Sequence, residues 1–199
     1  AANDALATGN YARLRVCAPG EYRLWQSMKA WSDTLGVPVD VLDDTRFLCP
    51  LADFNAWASG RKQLRMEYFY REMRKRYGIL LDEGQPAGGK WNYDADNRVG
   101  WRNQVPIPPR PDVTPDPITR QVITEVEATF PNNPGDLSQF RLAVTHRQAW
   151  EQFEWFCHNA LGEFGTYQDA LPEESPWVFH SLISMYLNCG LLEPLAVCQ

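Results

Sequence analysis

The segment Pro176–Pro194 contains the residues whose types and spacing are best suited to chemistry. The apolar spacing predicts a helix over Phe179–Cys189. His180, Ser181 and Ser184 then lie at the beginning of this helix, with the two hydroxyls one turn apart. Main-chain N–H groups at a helix start, the helix dipole and added hydroxyl donors together suit phosphate oxygens. Ordinary N-capping by Ser181 explains the same residues equally well.

A second group of candidate residues lies just upstream, in Gly162–Asp169. This string, Gly-Glu-Phe-Gly-Thr-Tyr-Gln-Asp, is interpreted as a loop that carries aromatic and carboxylate groups. Taken with the serine-rich segment that follows, it predicts a site for an anion or a nucleotide.

Several other kinds of site are disfavoured. The chain contains no P-loop, no dinucleotide-binding glycine motif, no zinc-protease helix motif and no nucleophile elbow. No C-x-x-C pair occurs, and Cys157 and His158 point to different faces of a helix, so we expect no metal site. An odd number of cysteines at irregular spacing favours reduced thiols and a cytoplasmic protein.

A calcium-binding loop is suggested by Asn92, Asp94 and Asp96, which place oxygen ligands at alternate positions. The sixth position of such a loop would be Asn97 rather than glycine, and the twelfth would be Asn103 rather than glutamate. A turn stabilised by Asx side chains is therefore the preferred interpretation.

Charge is distributed unevenly along the chain. The formal net charge is −6, yet residues 61–76 contain seven basic and two acidic side chains. Such a run is more often a solvated helix face than a phosphate-facing stripe, so we predict a solvated face. The hydrophobic content of 44% argues against general disorder, and no apolar run is long enough to predict a membrane span.

The elements that must position these residues begin with an α/β pattern. A strand is predicted over Arg13–Ala18, a helix over Glu21–Leu35 that ends at Gly36, and a second strand over Val37–Leu42. Strand, helix and strand in this order form a βαβ unit, which predicts a parallel sheet. Because two strands alone are marginally stable, we expect further strands before residue 1, and therefore that the chain is a fragment.

The rest of the chain is predicted to be a connection followed by helices. Residues 82–117 contain seven of the 15 prolines, so no regular element is expected there. Helices are predicted over residues 50–60, 62–77, 119–129 and 147–161, and from Pro194 onward. The predicted domains are an α/β domain (1–81), a linker (82–117) and the start of a helical domain (118–199). The fold class is α/β plus all-α.

Five strings of residues carry a resemblance to a known family. GEFGTYQD (162–169) and HSLISMYLNCGLLEP (180–194) resemble the flavin-binding stretch of the photolyase/cryptochrome family. In that family, a Tyr-containing loop ending in Arg-Asp precedes a Thr-Ser-x-Leu-Ser segment that wraps the FAD pyrophosphate. FNAWASGR (54–61), LRMEYFYR (64–71) and GGKWNYDADNR (88–98) are similar to its photolyase-related branch, which includes iron–sulfur bacterial cryptochromes and (6-4) photolyases.

The resemblance implies a fold, a reaction and a set of site residues. The α/β part becomes the back of a Rossmann-like antenna domain, and the helical part becomes the front of a FAD-binding domain. The implied reaction is light-driven electron transfer from reduced FAD to a pyrimidine photoproduct in UV-damaged DNA. Carried over by position, the FAD contacts fall on Phe164, His180, Ser181, Leu182, Ile183 and Ser184. Phe164 replaces a Tyr, His180 replaces a Thr, and Gln168 replaces an Arg that faces DNA.

Other cofactors of the family are expected outside this chain. The resemblance implies a ribityl-lumazine antenna and a [4Fe–4S] cluster, but the five cysteines here do not match the cluster ligands. No catalytic residue or metal ligand is expected within residues 1–199, and this chain by itself is expected not to repair DNA or hold FAD tightly.

The sequence therefore predicts a fragment of a FAD-dependent, light-driven DNA photolyase of the (6-4) type that is too short to act alone. Two alternatives stay open. One is a cryptochrome-like blue-light photoreceptor without repair activity. The other is a cofactor-free helical module that binds nucleic acid through residues 61–76.

Overall fold

The computed structural model describes residues 2–102 and 104–199, and it divides the chain into two compact units, Ala1–Gly78 and Ile79–Gln199. The first unit combines helices with a small parallel sheet, and the second combines helices with a two-stranded antiparallel hairpin and long irregular segments. This agrees with the predicted class, α/β plus all-α. The predicted linker, residues 82–117, falls within the second unit. None of the helices in the described residues is both long and apolar enough to cross a membrane.

The described residues of the first unit, 2–78, form five helices and two strands. In chain order they are α1 (Ala2–Thr8), β1 (Leu14–Cys17), α2 (Tyr22–Met28), α3 (Trp31–Leu35), β2 (Val39–Leu42), α4 (Leu51–Ala58) and α5 (Met66–Tyr77). Strands β1 and β2 pair in parallel, with Leu14 opposite Val39 and Cys17 opposite Leu42. The predicted parallel βαβ unit is therefore confirmed.

The crossover between the strands is two helices rather than the single helix predicted over Glu21–Leu35. The chain tightens at Ala30, whose N–H donates to the carbonyl of Ser27 three residues back, with φ −96° and ψ 0°. The indole N–H of Trp31 also donates to the Ser27 hydroxyl, which holds this corner. Helix α3 then ends at Gly36 in the left-handed conformation, as the sequence predicts.

Helix α5 begins at Met66, four residues later than predicted. The reason lies at the end of α4, where the last carbonyls of a helix lack main-chain partners. The Nε of Arg61 donates to the carbonyl of Trp57 at 2.6 Å, and its guanidinium carbon lies 4.5 Å from the Trp57 ring centre. Arg61 therefore belongs to the end of α4 and not to the start of α5.

In the second unit, the residues that the structure describes (79–102 and 104–199) form five α-helices and a small hairpin. In chain order they are β3 (Leu81–Asp82), β4 (Gln85–Pro86), α6 (Pro117–Thr129), α7 (His146–Asn159), α8 (Leu161–Tyr167), α9 (Ser184–Asn188) and α10 (Pro194–Cys198). Asp116 caps the start of α6 by accepting a hydrogen bond from the N–H of Thr119 at 2.7 Å. The predicted helices at 119–129 and 147–161 correspond to α6 and to α7 with the start of α8.

The prediction that residues 82–117 contain no regular element is wrong at their beginning. Strands β3 and β4 form an antiparallel hairpin, followed by a short 3-10 turn at Ala87–Gly89. The two residues between the strands, Glu83 and Gly84, have φ values of 49° and 80°. Positive φ at both central positions is typical of the turn that suits a two-residue hairpin.

The Asx turn predicted near residue 92 is confirmed. The main-chain N–H of Asp94 donates to the side-chain oxygen of Asn92 at 2.7 Å. Asn103, the twelfth position of the candidate calcium loop, lies outside the described residues. Across residues 2–102 and 104–199, no group of three or more His, Cys, Asp or Glu side chains is arranged to hold a metal ion.

Two clusters of buried apolar side chains form the core of the second unit. Tyr167 and Phe179 lie in the first cluster, and Tyr186 and Leu192 lie in the second. Phe153 of α7 packs against both clusters, so α7 is the element that joins them. The segment between α8 and α9, which carries the candidate phosphate residues, runs from one cluster to the other.

Replacing Tyr186 with phenylalanine is expected to lower the free energy of unfolding of the second unit by about 1–3 kcal/mol. The side chain is 4% exposed, and its hydroxyl accepts a hydrogen bond from the main-chain N–H of Ala143 at 3.1 Å. The substitution leaves that N–H buried without a partner. Urea denaturation followed by circular dichroism measures the change.

A matched control is Tyr93→Phe, which removes an exposed hydroxyl that donates to the carbonyl of Gly88 at 2.8 Å. Water replaces that bond, so a loss below about 0.5 kcal/mol is expected. Equal losses for the two variants would contradict the importance assigned to the buried bond.

Candidate functional site

The serine-rich segment does not begin a helix at the predicted place. Helix α9 starts at Ser184, and its N-cap is Ile183, which makes no side-chain capping bond. Val178 and Leu182 have φ values of 40° and 53°, in the left-handed region that interrupts a right-handed helix. The prediction of a helix over 179–189 is therefore wrong for its first five residues.

The later start of the helix removes one argument for a phosphate site. It also excludes the competing interpretation, in which Ser181 is an N-cap. His180 and Ser181 precede the helix, and α9 is only five residues long, so a helix dipole adds little here. The alternative in which Ser181 acts as an ordinary N-cap is wrong as well, because the cap position is Ile183. What is left to bind a ligand is the turn and its side chains.

The two serine hydroxyls in this turn are available to donate hydrogen bonds to a ligand. Within the described part of the chain, neither Ser181 nor Ser184 uses its hydroxyl in a hydrogen bond, although Ser181 accepts one through its main-chain carbonyl. Ser181 is half-buried and Ser184 is exposed. Leu182 is half-buried, and Ile183 packs against the core cluster around Tyr186. The structure thus brings two hydroxyl donors and an apolar anchor together in one turn.

Phe164 lies next to this turn, but on a helix and not in the predicted loop. Residues 161–167 form α8, with main-chain bonds from Glu163 and Phe164 to the carbonyl of Ala160. A side chain at Gly162 or Gly165 would meet nothing within 4 Å, so neither glycine is needed for close packing and neither breaks the helix. The loop prediction for 162–169 is therefore wrong for residues 162–167, whereas Gln168 and Asp169 lie in the turn that follows the helix.

The helix positions Phe164 as an edge-to-face neighbour of His180, with ring centres 5.7 Å apart. On the other side, the Phe164 ring lies 5.8 Å from that of Phe156 in the core. Gln168 is the C-cap residue of α8 and is half-buried. Phe164 and residues 180–184 are thus connected through the Phe164–His180 contact, while Gln168 has no hydrogen bond to them within the described residues.

Sequence analysis missed Arg110, which contacts the turn from the proline-rich stretch. Its Nη1 donates to the carbonyl of His180 at 2.7 Å, and its Nη2 donates to the carbonyl of Ser181 at 3.0 Å. The guanidinium carbon lies 5.1 Å from the ring centre of Trp155 on α7. Partial burial lowers the pKa of Arg110 from its ordinary value, because a less polar environment disfavours the charged form. No feature of local spacing marks this arginine.

The basic side chains of residues 61–76 are less available to contact phosphates than their number indicates. Ion pairs join Arg71 to Glu67, Lys75 to Glu72 at 3.7 Å, and Arg76 to Asp53 at 2.9 Å. Arg74 is 7% exposed, with its guanidinium near the ring of Tyr70. The prediction of a solvated face is wrong for Arg74, and the paired side chains weaken the case for a continuous phosphate-facing stripe.

A second concave surface, also missed by sequence analysis, lies within the first unit. A cavity of about 890 Å³ opens next to the carboxyl ends of β1 and β2, the edge where open α/β sheets commonly bind ligands. Trp25, Phe47 and Phe54 line it together with the carboxylates of Asp43 and Asp44. These residues come from separate parts of the chain, so their spacing carries no recognisable motif.

Comparison with known proteins identifies the family. A family model described as "Deoxyribodipyrimidine photo-lyase-related protein" matches residues 1–142. The chain belongs to this photolyase-related family. The resemblance found in the sequence is therefore confirmed at the level of the family.

Two curated relatives of this photolyase-related chain differ in their similarity to it. A (6-4) photolyase from Agrobacterium fabrum is 45% identical over 188 residues, which is 94% of this chain and 37% of that protein. An uncharacterized protein, R852, from Acanthamoeba polyphaga mimivirus is 25% identical over 96 residues, which is 46% of this chain and 49% of that protein. The chain thus spans less than half the length of both relatives. The match to the (6-4) photolyase covers nearly all of the chain, whereas the family model ends before the candidate turn.

Proposed function

We propose that this chain forms part of a FAD-dependent, light-driven DNA photolyase of the (6-4) type. The observation that carries the proposal is the turn at 180–184, where two serine hydroxyls have no partners among the described residues and an arginine holds the carbonyls of His180 and Ser181. The 45% identity to a (6-4) photolyase supports the same proposal. Residues 1–81 then belong to the antenna domain, and residues 118–199 belong to the FAD-binding domain.

The residues of the turn fit the phosphates of FAD. Phosphate oxygens accept hydrogen bonds, and Ser181 and Ser184 each offer a hydroxyl donor. The positive charge of Arg110 lies next to the Ser181 main chain, where it favours an anionic ligand. His180 adds ring N–H capacity and is held against Phe164. Leu182 and Ile183 supply the apolar support beneath the phosphates.

Two residues set limits on what this site does. Phe164 contributes an aromatic ring but no hydroxyl donor, so its role is to contact the flavin by packing. Gln168 contacts DNA in this proposal, and because it is neutral it contributes a hydrogen bond rather than a charge. FAD, when bound, supplies light absorption and the electron that reaches the photoproduct in DNA. The chain's own residues bind the phosphates and orient the cofactor.

The full-length protein that carries this chain is expected to purify yellow and to release FAD on denaturation. With the flavin reduced, illumination is expected to restore the undamaged bases in an oligonucleotide that contains one (6-4) photoproduct. High-performance liquid chromatography of the digested oligonucleotide measures repair, and an identical sample kept in the dark is the control.

The outcomes separate the three functions. Bound FAD without repair, but with a light-induced change in proteolytic sensitivity, would support the photoreceptor. A flavin-free protein that binds undamaged DNA with a steep dependence on salt would support the nucleic-acid module. Either result would contradict the proposed photolyase.

A further inference from the structure

We propose that Arg110 is a positioning residue for the flavin-phosphate turn, which comprises residues 180–184. Its guanidinium holds two consecutive carbonyls of the turn and thereby keeps the main chain that carries Ser181 and Ser184 in one conformation. The inference rests on the proposed function for the ligand, but the effect of Arg110 on the turn can be measured without one.

The turn needs an external restraint because its backbone is strained. Val178 is β-branched and 5% exposed, and its φ of 40° is a rare conformation for such a residue. Leu182 follows Ser181 directly and has a φ of 53°. Non-glycine residues keep these conformations only where surrounding contacts require them. The Val178 N–H donates to the Ser175 hydroxyl at 3.2 Å, which restrains the beginning of the turn.

Arg110 supplies the matching restraint in the middle of the turn. The two hydrogen bonds, 2.7 Å to His180 and 3.0 Å to Ser181, come from the two terminal nitrogens of one planar group. A planar fork fixes the spacing and direction of two acceptors at once, whereas a lysine ammonium acts as a point charge. The two carbonyls it contacts immediately precede Leu182, the residue with the left-handed conformation.

Arg110 is itself held in place. Prolines at positions 109 and 111 flank it and fix the local φ. The side-chain amide of Gln152, which is 6% exposed, donates to the carbonyl of Pro111 at 3.0 Å. Trp155 lies three residues further along α7, on the same helix face, and contacts the guanidinium. Helix α7 thus anchors both the backbone and the side chain of this short stretch.

The charge of Arg110 has no carboxylate partner among the described residues. Its side chain contacts the two carbonyls and the Trp155 ring, and burial lowers its pKa. A solvated salt bridge is therefore not the reason for its position. The geometry indicates that the two hydrogen bonds to main-chain carbonyls are the reason for the position of Arg110.

The test uses Arg110→Lys, which keeps the charge but removes the planar fork, and Arg110→Met, which removes both. In the full-length protein without flavin, both variants are expected to raise amide hydrogen exchange by about tenfold at His180, Tyr186 and Leu187, whose N–H groups donate to the carbonyls of Trp177 and Ile183 on either side of the Arg110 contacts. Both are also expected to raise the dissociation constant for FAD by about tenfold, because the serines lose their fixed positions. The matched control is Arg141→Lys, at an exposed arginine that also donates to a main-chain carbonyl, that of Phe140 at 2.8 Å.

Three results would overturn the inference. If Arg110→Lys behaves like the wild type while Arg110→Met does not, the charge matters and the fork does not. If neither variant changes exchange at His180, Tyr186 and Leu187, the turn keeps its conformation without Arg110. If exchange rises equally in the core of α7, at residues 153–157, Arg110 stabilises the whole unit and does not position the turn. Failure of the wild-type protein to bind FAD would instead contradict the proposed function, and the exchange measurement would still decide the role of Arg110.

Discussion

Replacing Phe179 with alanine is expected to lower the free energy of unfolding of the second unit by about 3–5 kcal/mol. Phe179 is 2% exposed, and its ring centre lies 5.7 Å from that of Trp101 and 5.6 Å from that of Tyr167. The substitution removes apolar surface that folding buries. It also leaves a cavity that the two neighbouring rigid rings fill poorly. Urea denaturation followed by circular dichroism measures the loss.

The matched control is Phe130→Ala, at a phenylalanine that is 53% exposed in the same unit. Its loss is expected to be below about 1 kcal/mol, because little apolar surface is buried there. Hydrogen exchange in α7 assigns the change to the second unit. Similar losses for the two variants would show that Phe179 is not part of a well-packed core.

The double substitution Ser181→Ala with Ser184→Ala is expected to weaken FAD binding by about 100-fold. A hydrogen bond to a charged group contributes about 1.5 kcal/mol, or roughly tenfold in affinity, and the variant removes two donors. Equilibrium dialysis of the full-length protein against FAD measures the dissociation constant.

The same substitution is expected to leave stability nearly unchanged, because neither hydroxyl has a hydrogen-bond partner within the described residues. This separates loss of a ligand contact from loss of folding. Ser138→Ala is the control, since that exposed hydroxyl donates to Asp136 at 2.9 Å and lies outside the turn. Unchanged affinity in the double variant would contradict the phosphate site.

The two expected results concern neighbouring parts of one segment. Phe179 is buried in the core and is followed directly by His180, the first residue of the flavin-phosphate turn. A destabilised core at Phe179 should therefore also weaken FAD binding, whereas the serine substitutions should affect binding alone. Comparing the two variants shows whether the turn depends on the packing beneath it.

Much of the first unit could be predicted from local sequence. The parallel pairing of β1 with β2 follows from two short apolar runs separated by a helix. Gly36 and Gly78 end their helices in the left-handed conformation because glycine has no Cβ to clash there. The break at Ala30 was missed, because it depends on the bond between the Trp31 and Ser27 side chains.

For the candidate site as well, local sequence predicts one part and long-range contacts decide the other. The sequence alone determined the family, because residue types and short-range spacing suffice to identify a motif, and it singled out Phe164 and residues 180–184 as candidate site residues. Only the tertiary structure decided the conformation of those residues. Leu182 adopts a left-handed conformation that local propensity disfavours, and the turn containing it is held by Arg110, whose hydrogen-bond partners lie 70 and 71 residues further along the chain. Contacts at such separations form only when the chain is folded, and they outweigh the helix preference that the local pattern indicates.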